Sequence, residues 1–126
     1  MRDVAVAADA LFSGLLNAET GQRGYLLTGE EAHLLPYRRA EATLAEALSG
    51  LSALRAERPT GDGLARLLGA LLDTAEAKRR ELDGTLERFV DSGQDAAVAA
   101  VRSGNGRRLM DEARLLVAHT HTITDA

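Results

Sequence analysis

Apolar side chains recur along this chain at alternating steps of four and three residues, in four separate long segments. That spacing puts them on one face of an α-helix, the seam along which helices pack, and does not fit the period of two of a strand. The first segment reads Val4, Ala8, Leu11, Leu15, Ala18, Gln22, Tyr25, with a second seam beside it at Phe12, Leu16, Glu19, Arg23 and Leu26. Two adjacent seams make a face wide enough for a bundle helix rather than a two-stranded coil. The phase survives Gly21 and Gly24, so the spacing predicts one helix from about Asp3 to Thr28, ended by Gly29. At 1.5 Å per residue it is roughly 39 Å long.

The second segment carries Leu34, Tyr37, Glu41, Leu44, Leu48 and Leu51 and predicts a helix over 31–57. Pro36 falls in its first turns, where a missing N–H does least harm. Pro59, Gly61 and Gly63 punctuate a loop, and Asp62 is a candidate N-cap for a third helix over 63–92. Its seam is Leu64, Leu68, Leu71, Ala75, Lys78, Leu82, Thr85 and Phe89, closed by Gly93. A short connecting helix over 95–102 follows, then the turn Ser103-Gly104-Asn105-Gly106. The last helix, over 106–124, carries Leu109, Ala113, Leu116, Thr120 and Ile123. Four long helices with mostly short links imply an all-α, antiparallel up-down-up-down four-helix bundle with a short extra helix, one domain spanning 1–126. An even number of passes puts both ends of the chain together.

Composition agrees. The apolar residues are mostly Leu and Ala, strong helix formers, against two Phe, two Tyr and no Trp. Basic residues are scattered among acidic ones at a net charge of -4, so no basic face for nucleic acid appears. The lack of cysteine excludes disulfides and thiol chemistry. No apolar run approaches the roughly 18 residues that cross a bilayer.

The run Glu19-Thr20-Gly21-Gln22-Arg23-Gly24-Tyr25-Leu26-Leu27-Thr28-Gly29 is not explained by helix formation. Each glycine inside a helix costs about 1 kcal/mol relative to Ala. This run resembles the signature of the third type of CHASE domain, an extracellular sensor module associated with cyclases and histidine kinases. Leu35-Pro36-Tyr37 with Ala40, the Ser103–Gly106 turn, and Met110-Asp111 with Arg114 match in order and spacing. The resemblance implies a periplasmic or extracellular four-helix bundle between two transmembrane helices, which lie outside this sequence. It also implies a cytoplasmic output module, commonly a histidine kinase. The partner is an unknown small-molecule or protein signal. Self-association belongs to the full receptor, and the domain alone is expected to be a monomer or weak dimer, since membrane helices supply much of the proximity. Ala113 stands where the family often has a larger apolar residue, which implies looser packing there.

Glu19 and Arg23 lie four apart on one helix face and can pair. One reading makes Arg23, with Gln22 and Tyr25, the face of a pocket for an anionic ligand. The other makes Glu19, Thr20, Gln22, Arg23, Asp111 and Arg114 a structural polar network, with Arg23 inward and bound to Glu19, Asp111 or both; this second reading is preferred. Gly21 and Gly24 serve close packing or a hinge, and Lys78, Arg79 and Arg80 read as solvated and partly paired with Glu76 and Glu81.

An enzyme or cofactor is not expected. Glu30 and His33 form one Glu-x-x-His, whereas di-iron bundles need two such motifs and two more carboxylates. His119 and His121 stand about 200° apart around a helix and cannot share a metal within it. The remaining alternatives are a dimerisation module without a small-molecule ligand and, remotely, a metal-binding bundle enzyme.

Overall fold

The structure, a computed structural model, describes residues 2–59 and 61–125. Met1 and Ala126, the ends of the expected 1–126 domain, lie outside the described residues, as does Thr60. The described residues form five α-helices and no strand: α1 Arg2–Thr28, α2 Leu34–Ala56, α3 Gly63–Ser92, α4 Gln94–Arg102 and α5 Asn105–Thr124.

Local chemistry sets the boundaries. α1 ends where Gly29 turns left-handed at φ 67, and its N–H donates to the Tyr25 carbonyl at 2.7 Å. The second helix does not start α-helical at Glu31, as its spacing suggests. Glu31–His33 is a 3₁₀ turn and the α-helix begins at Leu34, so Pro36 sits in the first α-turn, where its absent N–H had no partner to lose. Asp62 caps α3 by accepting from the Ala65 N–H at 3.1 Å, and it also accepts from Arg58 Nε at 3.0 Å. That guanidinium holds the Asp62 carboxyl below the usual range. Gly93 (φ 90) and Gly104 (φ 81) bracket α4, each in a backbone region that disfavours other residues.

The first seam of α1 is buried throughout: Val4, Ala8, Leu11, Leu15, Ala18, Gln22 and Tyr25 all face the interior. The parallel seam is a margin, not a second buried stripe. Leu26 is buried, but Leu16 is 43% exposed. On α5 the expected Ala113 and Thr120 are buried, but Met110 and Val117 are buried in place of their neighbours Leu109 and Leu116, and Ile123 is exposed. Ala113 is completely buried. The main core joins Val4, Leu11 and Leu15 of α1 to Leu44 and Leu51 of α2, Leu64 and Leu68 of α3, and Met110 and Val117 of α5. Each fully buried leucine contributes about 1.5–3 kcal/mol relative to exposure.

α1 and α2 run antiparallel, with Gly14 against Leu44 and Gly21 against Tyr37. A Cβ on Gly21 would lie 2.8 Å from the Tyr37 backbone nitrogen, so the two backbones meet there in a way no side chain permits. Gly24 has no such neighbour; only His33 Nδ1 comes within 3.9 Å of the same position.

Candidate functional site

Charge inside a helical bundle must be matched by protein groups, because no water is there to do it. Lys78 is a buried cation, 1% exposed, on the α3 seam between Ala75 and Leu82. Its Nζ donates to Glu19 Oε2 of α1 at 2.7 Å and to Glu81 Oε1 of α3 at 2.6 Å, with the Gly106 carbonyl of α5 at 3.4 Å. The three donors of the ammonium therefore each have an oxygen, supplied from three helices. The Thr85 hydroxyl lies 3.0 Å from Glu81 Oε2 and 2.9 Å from the Glu81 carbonyl, and its single proton serves one at a time. Gln22, 2% exposed, donates from Nε2 to the Leu82 carbonyl and ties α1 to α3 a second time.

Glycine completes this network. A Cβ on Gly106 would stand 2.5 Å from Glu81 Oε1 and 2.8 Å from Lys78 Nζ. With any Cβ there, the Glu81 and Lys78 side-chain ends would have to shift from their present positions.

Further contacts fix the half of the bundle where α1 ends. The Tyr37 hydroxyl, on a fully buried ring, lies 2.9 Å from Glu41 Oε2 and 3.1 Å from Asp83 Oδ1. Burial, then the Glu41 carboxylate, pushes the phenol's pKa up and keeps it a neutral donor. Tyr25 packs on Phe89 with ring centroids 4.9 Å apart, and Gln94 Nε2 donates to the Leu26 carbonyl at 2.9 Å, closing the end of α1 from α4.

This geometry braces three helices against one another. The cleft over Lys78 has a free volume of about 10 Å³, roughly that of one water. Among the described residues no three His, Cys, Asp or Glu side chains come together as metal ligands. Glu30 and His33 face each other at 3.6 Å on the exposed α1–α2 connection.

A family model for the CHASE3 domain matches residues 1–126, the whole chain. The chain belongs to the CHASE3 domain family. With that membership comes the extracytoplasmic sensor role which the signature run implied. Two solved structures share the fold. One is the sensor domain of histidine kinase HK9 of Rhodopseudomonas palustris, 24% identical, with a TM-score of 0.85 over 99% of this chain and 95% of that one. The other is the periplasmic sensor domain of a sensor histidine kinase, 23% identical, with a TM-score of 0.72 over 96% and 88% of the two chains. No curated protein matches the chain.

The residues of the CHASE3 signature do not all meet where the spacing placed them. Glu19 and Gln22 are in the buried network, and Tyr25 is buried beside it. Arg23 is not inward: its side chain is 53% exposed and, among the described residues, pairs with Glu19 alone, at 3.7 Å. Asp111 lies on the outer surface of α5 and pairs with Arg114 at 2.9 Å, so neither belongs to the network. Arg114 instead lies 5.4 Å over the Phe12 ring. Thr20 is exposed. The inward cation is Lys78, the reverse of its reading as a solvated residue, while the expected pairings with Glu81 and Glu76 are present, the first made by Lys78 and the second by Arg79. The signal for Lys78 was its phase on the α3 seam. The arginines that follow it masked that signal by making a basic run that looked solvated.

Proposed function

We propose that this CHASE3 domain is the input domain of a membrane-anchored receptor whose output is a histidine kinase, and that the chain carries no catalysis of its own. Its four long helices run up-down-up-down with both chain ends together, and a signal leaves as a displacement of α5 against α1. The observation that carries this reading is the whole-chain family match on a bundle whose first and last helices adjoin. Asp9 near the start of α1 pairs with His121 near the end of α5 at 2.7 Å. Among the described residues no helix is long and apolar enough to cross a membrane, so anchoring falls to flanking segments.

A signal shifts the helices only if it has different affinity for the two arrangements. Thermal-shift screening of a small-metabolite panel, followed by calorimetry on the hits, tests the reading. Saturable binding of one metabolite is expected, with a monomer or weak dimer in sedimentation. Silence across the panel with a tight dimer would favour a dimerisation module instead.

A further inference from the structure

An open pocket of about 360 Å³ lies against the loop between α2 and α3. Three arginines line it, Arg55 from the last turn of α2, Arg58 from the loop and Arg66 from the first turn of α3, with Ser52 beside them. Among the described residues of the lining there is no carboxylate. Arg55 is held in place. Its Nε donates to the Ala65 carbonyl at 3.0 Å, across from α2 to α3. Its guanidinium lies over Gly69, where a Cβ would stand 2.7 Å from Nη2. Glycine is among the poorest helix formers, and here it makes room inside α3 for a charged group. Arg58 is anchored as well, its Nε donating to Asp62 Oδ2 at 3.0 Å while that same oxygen caps α3. Among the described residues no carboxylate pairs with Arg55 or Arg66.

The place of this pocket in the bundle says what can reach it. The register that sets Gly21 against Tyr37 and Gly14 against Leu44 carries the end of α2 to the start of α1, and the Asp9–His121 pair brings the end of α5 there too. The α2–α3 loop therefore shares one end of the bundle with both chain ends. In a receptor anchored through those ends, this is the end that meets the bilayer surface. We infer that the pocket seats the phosphate of an anionic phospholipid headgroup, between Arg55 and Arg66. Each guanidinium offers paired N–H donors that match the oxygens of a phosphate, and Arg55 is already oriented by Ala65 and Gly69, so little freedom is lost on binding. Headgroup contact here would bear on α2 and α3 at once and set the height of the bundle above the membrane.

The proposal rests on the sensor reading for which end faces the bilayer, but binding is measured on the chain alone. Cosedimentation compares vesicles of equal parts phosphatidylglycerol and phosphatidylcholine with vesicles of phosphatidylcholine alone. A parallel NMR titration follows the arginine Nε–H signals against inorganic phosphate. Saturable retention is expected on the anionic vesicles and none on the zwitterionic ones. Arg66→Gln, at an exposed position, should weaken retention about fivefold, the loss expected for one arginine at an anionic surface. Gly69→Ala should weaken it comparably although no charge changes, because the new Cβ displaces the Arg55 guanidinium. Arg102→Gln, on exposed α4 away from the pocket, should leave retention as it is, and melting temperatures verify that the variants fold. Equal retention on both vesicle types overturns the proposal. So does a loss with Arg102→Gln equal to that with Arg66→Gln, or no loss with a folded Gly69→Ala, since either marks a diffuse charge effect. Arginine signals that move with phosphate, without any preference for anionic vesicles, assign the pocket to a soluble phosphate and overturn the lipid. Each of these failures leaves the sensor reading to its own metabolite screen, since that reading needs no headgroup contact.

Discussion

Lys78 and Arg23 stand near the same cleft and are linked through Glu19, yet their energetics differ by their surroundings. An ion pair 53% exposed on one side is screened by water and is worth about 0–1 kcal/mol. A buried ammonium with two carboxylates leaves them uncompensated when it is removed, at a cost of about 3–5 kcal/mol. Lys78→Ala is therefore expected to lower stability by about that amount, on the order of 10–20 °C in melting temperature for a domain of this size. Arg23→Ala should cost less than about 1 kcal/mol. Chemical denaturation of both variants checks the order, and equal losses would put the buried charge in the wrong place. Packing, not spacing, tells these residues apart. Lys78 stands in register with Leu71 and Leu82, while Arg23 belongs to the marginal seam that also leaves Leu16 exposed. Spacing cannot tell which of two adjacent seams a neighbouring helix covers, so the identity of the inward cation was hidden where the helix boundaries were not.

Among the helices, the glycines of the signature run separate into packing and non-packing positions. Gly21→Ala drives a Cβ into the α2 backbone at Tyr37, and neither helix can yield without moving. Overpacking of this kind costs about 1–3 kcal/mol, which outweighs the gain of up to about 1 kcal/mol from alanine's helix propensity. Gly24→Ala meets only His33 Nδ1 at 3.9 Å, an ordinary contact, and keeps the propensity gain. Thermal unfolding should thus show the first variant destabilised and the second stabilised; the same sign for both would contradict the backbone contact. The contact between α1 and α5 is pH-dependent. The Asp9 carboxylate at 2.7 Å favours the protonated His121 ring and holds its pKa above the usual 6.5, Asp125 adding to the effect. A raised folded-state pKa stabilises fully below the unfolded value, and that stability fades as the pH rises through the folded value. Proton NMR should show the His121 midpoint falling toward 6.5 in Asp9→Asn; an unmoved midpoint would mean that Asp9 is not its partner.

At the scale of the whole molecule, a bundle that informs a kinase has to be rigid within each helix and adjustable between them. The Lys78 brace joins α1, α3 and α5, and the Asp9–His121 pair joins α1 and α5 toward the chain ends. Loosening the brace should alter what the ends report even with no signal present. Glu19→Gln removes one charge from the brace and leaves Lys78 paired with Glu81. The direct measurement places the chain between the two membrane helices of a histidine kinase, in vesicles, and follows basal autophosphorylation. An input domain coupled through its helices predicts that Glu19→Gln shifts the basal rate away from that of the parent chimera. Identical rates for the parent, for Glu19→Gln and for a chimera with a flexible linker in place of the bundle would show a passive tether and contradict the sensor role.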